Sequence, residues 1–148
     1  MIFFQSVHKI IYKYTRGRGI RVRQRNQLEY FMAQYEEFTI DQGSDVAIEL
    51  HLTNADGSKK NLDGFTINAK MKKNYNSDSS DTHTFSSVVT APTTDGIVTL
   101  SLTNTQTDLL KAGRYVYDVE TSYIDSSNAT IVERILEGRI QVTPSVTK

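Results

Sequence analysis

The chain has 148 residues, the size of one ordinary domain, and 38% of them are hydrophobic, enough for a packed core. Its 17 basic and 17 acidic side chains balance to a net charge of zero, and that zero hides an asymmetry along the chain. The absence of cysteine excludes disulfides, thiolate zinc sites and cysteine nucleophiles, and no apolar run of about 18 residues is present to span a membrane as a helix.

Before Met32 the chain carries Lys9, Lys13, Arg16, Arg18, Arg21, Arg23 and Arg25 against Glu29, and beyond it acids outnumber bases. The opening Met1-Ile2-Phe3-Phe4 does not read as a secretory signal. Gln5, Ser6, His8 and Lys9 interrupt the apolar residues, and the charge follows them instead of preceding. Arg16, Arg18, Arg21, Arg23 and Arg25 form a candidate arm for an anionic partner, because guanidinium groups neutralise phosphates and the nearby Tyr12 and Tyr14 could stack on bases. Three readings of this basic leader, residues 1–31, stand open. It is a flexible arm, disordered or ordered by a partner. It contacts nucleic acid. Or it is a mis-assigned start, with translation beginning at Met32, where the charge balance changes sign.

From Tyr35 onward the apolar residues recur with period two between turn residues, which argues strands. Phe38 and Ile40 mark the first, and Gly43 suits a bulge or a crossing between sheets. Val46, Ile48, Leu50 and Leu52 mark the clearest half-buried strand. Asp56-Gly57 supplies a tight turn, and Leu62 stands alone before a second turn at Asp63-Gly64. Phe65, Ile67, Ala69 and Met71 line the next strand, and the serine-rich stretch from Asn74 to Asp81 is a loop. One weaker strand is expected over 84–89, a turn over 91–96, and a strand over 97–102. Thr105-Gln106-Thr107-Asp108 has helix N-terminal spacing, and Gly113 fits the position just past a helix end. Tyr115, Tyr117 and Val119 alternate in a further strand, and the stretch from Asp125 to Asn128 makes a hairpin tip. Ile131, Ile135, Ile140 and Val142 place one or two closing strands, with a bulge expected at Gly138 and a stop at Pro144.

About seven strands at roughly 8–12-residue intervals, with one short helical turn, describe an all-β, immunoglobulin-like antiparallel β-sandwich over residues 32–148. Gly113-x-Tyr115-x-Tyr117 resembles the tyrosine corner of such sandwiches, with Tyr117 in the core position that antibodies fill with cysteine.

Catalytic constellations are not evident. His8, His51 and His83 lack ligand spacing, and no nucleophile elbow or phosphate-binding glycine loop opens a helix. Asp118 and Glu120 share a strand face by alternation, where an exposed face explains them better than a glycosidase pair. Asp63, Asp78 and Asp81 could gather around a cation, although loop carboxylates usually only solvate. Loops on a rigid scaffold concentrate function, so the candidate contact surface is Tyr75, Asp78, Asp81, Tyr123, Asp125 and Asn128.

The segments from Phe38 to Asp45, Leu52 to Gly57, Asn61 to Phe65, Val98 to Thr103, Thr105 to Leu110, Ala112 to Val119 and Leu136 to Pro144 occur in an order that resembles one family. It is the immunoglobulin-like N-terminal domain of baseplate upper proteins and related tail or neck components of tailed bacteriophages. The likeness covers nearly all of residues 35–144, and the leader has no counterpart in it. It implies a non-enzymatic virion structural or adaptor protein without cofactors, assembled in the bacterial cytoplasm and acting through contacts with other virion proteins in many copies. The alternative is a carbohydrate or host-surface binding module on the same fold, with Tyr75 and Tyr123 as contacts. Nucleic acid is the disfavoured partner.

Overall fold

The computed structural model describes residues 5–13, 33–54 and 56–147, the first stretch as backbone only. Among these residues two sheets are formed. One has the strand order β1 (Gln5–Lys13), β3 (Val46–Asn54), β7 (Ile97–Leu102), β6 (Ser86–Val89). The other has the order β2 (Gln34–Asp41), β9 (Thr130–Thr143), β8 (Gly113–Ile124), β4 (Thr66–Lys72), β5 (Thr82–Thr84). A short helix, α1 (Asn104–Asp108), bridges β7 and β8. The fold is an all-β, immunoglobulin-like sandwich.

Alternation builds its core. In β3, Val46, Ile48, Leu50 and Leu52 are all buried, and Ala47, Glu49 and His51 between them are half-exposed. The same rule buries Ile67, Ala69 and Met71 in β4, Val98, Leu100 and Leu102 in β7, and Tyr115, Tyr117 and Val119 in β8. Each buried Val, Leu, Ile or Met among them contributes about 1.5–3 kcal/mol on removal from water, and Ala69 less. With no disulfide between the sheets, this burial holds them together.

Several expectations are corrected. Among the described residues of the expected domain there are eight strands, β2 to β9, against about seven, with β1 added from the leader, and the sandwich is not wholly antiparallel, because β2 runs parallel to β9 from Gln34–Leu136 to Asp41–Thr143. The single strand expected over 84–89 is two strands in different sheets. The buried Phe85 turns the chain between β5, which pairs with β4, and β6, which pairs with β7. The helix begins two residues earlier than its spacing suggested. Thr103 is the N-cap, and Gln106 returns a hydrogen bond to the Thr103 backbone N–H at 2.9 Å. Gly113 does not close that helix and instead opens β8. The bulge expected at Gly138 falls at Ile135, where the β8–β9 register shifts between Val119–Leu136 and Glu120–Arg134.

Gly138 has another purpose. It lies between Tyr117 on β8 and Glu36 on β2 in the sheet register. A Cβ there would run into the Glu36 carbonyl. Across this gap the Tyr117 hydroxyl donates to the Glu36 carbonyl oxygen at 3.0 Å, and its ring packs on Phe38 at 4.8 Å. Tyr117 thus occupies the expected core position and binds the edge strand β2 to the sheet.

Residues 5–13, read from the sequence as part of the leader, are a paired strand here, running antiparallel to β3 from Gln5–Asn54 to Lys13–Ala47. Val7, Ile10, Ile11 and Tyr12 are residue types that favour strands. Arg16, Arg18, Arg21, Arg23 and Arg25 lie outside the described residues.

Candidate contact surfaces

Strand directions sort the loops into two ends. At the hairpin end lie the 54–65 segment, the 90–96 turn and the β8–β9 tip. They are joined by Leu62 N–H to the Thr93 carbonyl at 3.0 Å and by Phe65 stacked on Tyr123 at 4.8 Å. At the corner end lie the 42–45 turn, the 73–81 loop and the α1 region.

The six candidate residues divide between these ends. Tyr123, Asp125 and Asn128 are at the hairpin end, while Tyr75, Asp78 and Asp81 follow β4 at the corner end. In the register, β4 opens at Thr66 opposite Ser122 and closes at Lys72 opposite Val116. The two groups are therefore about 20 Å apart along the strands, and they do not make one surface. Asp63 is likewise separated from Asp78 and Asp81. Among the described residues no three His, Asp or Glu side chains are gathered to hold a metal ion.

At the hairpin tip, Asp125 organises the turn. Its Oδ1 accepts from Ser127 N–H and Ala129 N–H, both at 2.9 Å. Asn128 takes the left-handed conformation, φ 63°, that asparagine tolerates better than most residues. The Tyr123 ring is engaged by Phe65, and Lys60 lies over the other partner, its Nζ 5.0 Å from the Phe65 centroid. Burial depresses the Lys60 ammonium below its ordinary value, with Glu133 opposing that shift. Burial also raises the Tyr123 phenol, assisted by Glu133 and Asp125. Tyr123 and Asp125 are thus committed to local structure.

At the corner end, the Tyr115 hydroxyl accepts from Lys111 N–H and donates to the Lys111 carbonyl, each at 3.0 Å, so the expected tyrosine corner is present. Burial raises its phenol above the usual range, with the Lys111 backbone opposing. Lys73 covers the ring at 4.4 Å and donates to the Ala112 carbonyl at 3.1 Å. His83 meets the ring edge-on at 6.1 Å, and burial lowers its pKa while Asp81 acts against that. The backbone carbonyl of Asp78 accepts from Asp81 N–H and from the Thr82 hydroxyl, closing the short turn and leaving Asp78 and Asp81 exposed. Tyr75 is 78% exposed.

A broader surface, not named from the sequence, is the outer face of the five-stranded sheet. Arg134 lies among three carboxylates, Asp118 at 3.3 Å, Glu120 at 3.7 Å and Glu137 at 3.3 Å. Tyr35, 51% exposed on the edge strand β2, donates to Glu37 at 2.7 Å. That hydrogen bond is the main cause of its raised pKa. Burial and the Glu37 charge add to it, Arg139 opposes it, and Tyr75 contributes weakly. Alternation did reveal that Asp118 and Glu120 face outward together. Arg134 was hidden, because the bulge at Ile135 breaks the period that would have placed it on the same face.

No family model matches the chain, and no curated protein matches it. Solved structures do. Murine CRIg is 15% identical with a TM-score of 0.44, covering 84% of this chain and 98% of its own. AggA, the major subunit of aggregative adherence fimbriae type I from Escherichia coli, is 10% identical with a TM-score of 0.35, covering 93% of this chain and 98% of its own. No helix of the described residues is long and apolar enough to cross a membrane.

Proposed function

We propose that this chain is a non-enzymatic adaptor of a tailed-bacteriophage virion, joining tail, baseplate or neck components through protein–protein contacts in many copies. The observation that carries the contact role is the outer face of the five-stranded sheet. Arg134 is held in place there by Asp118, Glu120 and Glu137, and Tyr35 stands exposed on the adjoining edge. Arginine and tyrosine are enriched where proteins meet, and a side chain already fixed by neighbours loses less freedom on binding. Placement in a virion is supported by the ordered resemblance of residues 35–144 to the baseplate upper protein domain.

Mass spectrometry of gradient-purified particles tests the reading. The chain is expected among the particle proteins at multi-copy abundance. Its absence from particles, with the protein present in the infected lysate, overturns the proposal. The carbohydrate-binding alternative was motivated by Tyr75 and Tyr123 together, and their separation to opposite ends leaves Tyr75 as its remaining aromatic contact.

A further inference from the structure

β1 and β2 occupy the same side of the sandwich, each at the edge of its own sheet. β1 approaches β9, the strand to which β2 is paired. Register sets their directions. β1 ends with Lys13 opposite Ala47, near the start of β3. β2 ends at Asp41, a short turn before β3 opens at Val46. Both strands therefore finish at the corner end. A chain leaving β1 must travel back along the length of β2, about 23 Å for seven strand steps, before β2 can begin.

The connection available is residues 14–33. About 20 residues reach at most ~70 Å when extended. That is enough to double back onto the same sandwich, and enough to reach a neighbouring one. A strand given to a neighbour needs no return path. Nothing like a two-residue hairpin link enforces pairing within one chain.

We propose that β1 is an exchangeable strand: in concentrated or assembled protein, Gln5–Lys13 of one copy pairs with β3 of a second copy. The second copy is the fitting occupant because its own Gln5–Lys13 segment matches β3 in register and satisfies the same backbone groups. The closed and exchanged forms make the same strand contacts, so they differ chiefly in the entropy of closing the connection. A link of about 20 residues gives an effective concentration on the order of millimolar, so dilute protein closes on itself and crowded copies exchange. Leaving the β3 edge empty would expose a row of unpaired backbone donors and acceptors. The inference does not depend on the virion reading.

The chain has no cysteine, so strand pairing can be trapped cleanly. Ile11 faces Glu49 in the register, and directly opposed antiparallel residues lie within disulfide reach. The full-length variants Ile11→Cys and Glu49→Cys are mixed in equal amounts, incubated from about 10 μM to about 1 mM, oxidised, and resolved on a non-reducing gel. Exchange predicts a covalent heterodimer whose yield rises with concentration. The double variant carrying both changes then gives covalent dimers and larger species at high concentration, and a closed monomer when dilute. A closed monomer at every concentration, with no heterodimer from the mixed single variants, overturns the proposal. Failure of both to form any disulfide overturns it too, since β1 would then not pair with β3. Far-UV circular dichroism of the reduced variants confirms that each retains its strands.

Discussion

At the corner end, side-chain hydrogen bonds tie together loops distant in sequence, whereas at the hairpin end the side-chain hydrogen bonds are mostly local and the 54–65 segment meets the 90–96 turn through the backbone, Leu62 N–H to the Thr93 carbonyl at 3.0 Å. Gln42 donates to the Leu110 carbonyl at 2.7 Å, the Thr107 hydroxyl donates to the Ser44 carbonyl at 2.7 Å, and Asp45 accepts from Asn104 N–H at 2.7 Å. The α1 region is thereby fastened to the 42–45 turn, and Tyr115 locks the segment between α1 and β8. At the other end, Asp125 binds residues two and four further on, and Asn54 reaches Ser58 at 3.0 Å. The side-chain links between hairpin-end loops are the Phe65–Tyr123 stack and the exposed Lys59–Asp95 pair at 3.3 Å. Exposed ion pairs of that kind contribute little. The corner end is therefore fastened by side-chain hydrogen bonds, whereas at the hairpin end the β8–β9 tip is held mainly by its own residues and the 54–65 segment is anchored through backbone bonds and the buried Leu62.

Removing one polar anchor from each end tests this difference. Tyr115→Phe leaves the ring and its contacts but deprives both Lys111 backbone groups of their partner. It is expected to cost about 1–2 kcal/mol in urea unfolding, with an unchanged m-value. Asp125→Ala removes the organising carboxylate of the hairpin tip, where the backbone groups it releases are exposed to water. It is expected to cost less than about 1 kcal/mol and to leave the corner-end amides as protected from hydrogen exchange as before. A larger loss for Asp125→Ala than for Tyr115→Phe would break the comparison.

The same difference governs what could be read from the sequence. Alternation alone located the core residues of β3, β4, β7 and β8, because one residue in two must face the other sheet. The tyrosine corner was legible because its spacing is fixed by the chain turning back on itself. Features set by a neighbouring strand were not legible. Gly138 is glycine because the Glu36 backbone lies against it, a contact across about 100 residues of chain that no local pattern encodes. The split at Phe85 is invisible because β5 and β6 differ in partner and not in residue type. The candidate contact residues were chosen by loop composition, which cannot tell one end of a sandwich from the other. Tyr75 and Tyr123 consequently fell at opposite ends. Tyr35 and Arg134 lie on strands, where exposed polar residues look like ordinary solvated positions until the register gathers them.

The smallest expected effect sharpens the comparison at the corner end. His83 sits against Tyr115, with Lys73 over the same ring and Asp81 acting on the imidazole from the preceding turn. Burial lowers its folded-state pKa below the ordinary value of 6.5, outweighing Asp81. The unfolded chain then binds more protons than the folded one through the imidazole range. The corresponding stability is present above the ordinary value and is lost as pH falls from there through the folded-state pKa. His83 is only partly buried, and solvent screening reduces the effect to less than about 1 kcal/mol. Urea unfolding at pH 5.5 and 7.5, compared between the parent chain and His83→Gln, is expected to show a larger gain at the higher pH in the parent. If the gain is equal in both, the imidazole is not coupled to the corner. If the parent instead becomes more stable on acidification relative to the variant, Asp81 dominates the site, and the packing of His83 on Tyr115 is weaker than its geometry indicates.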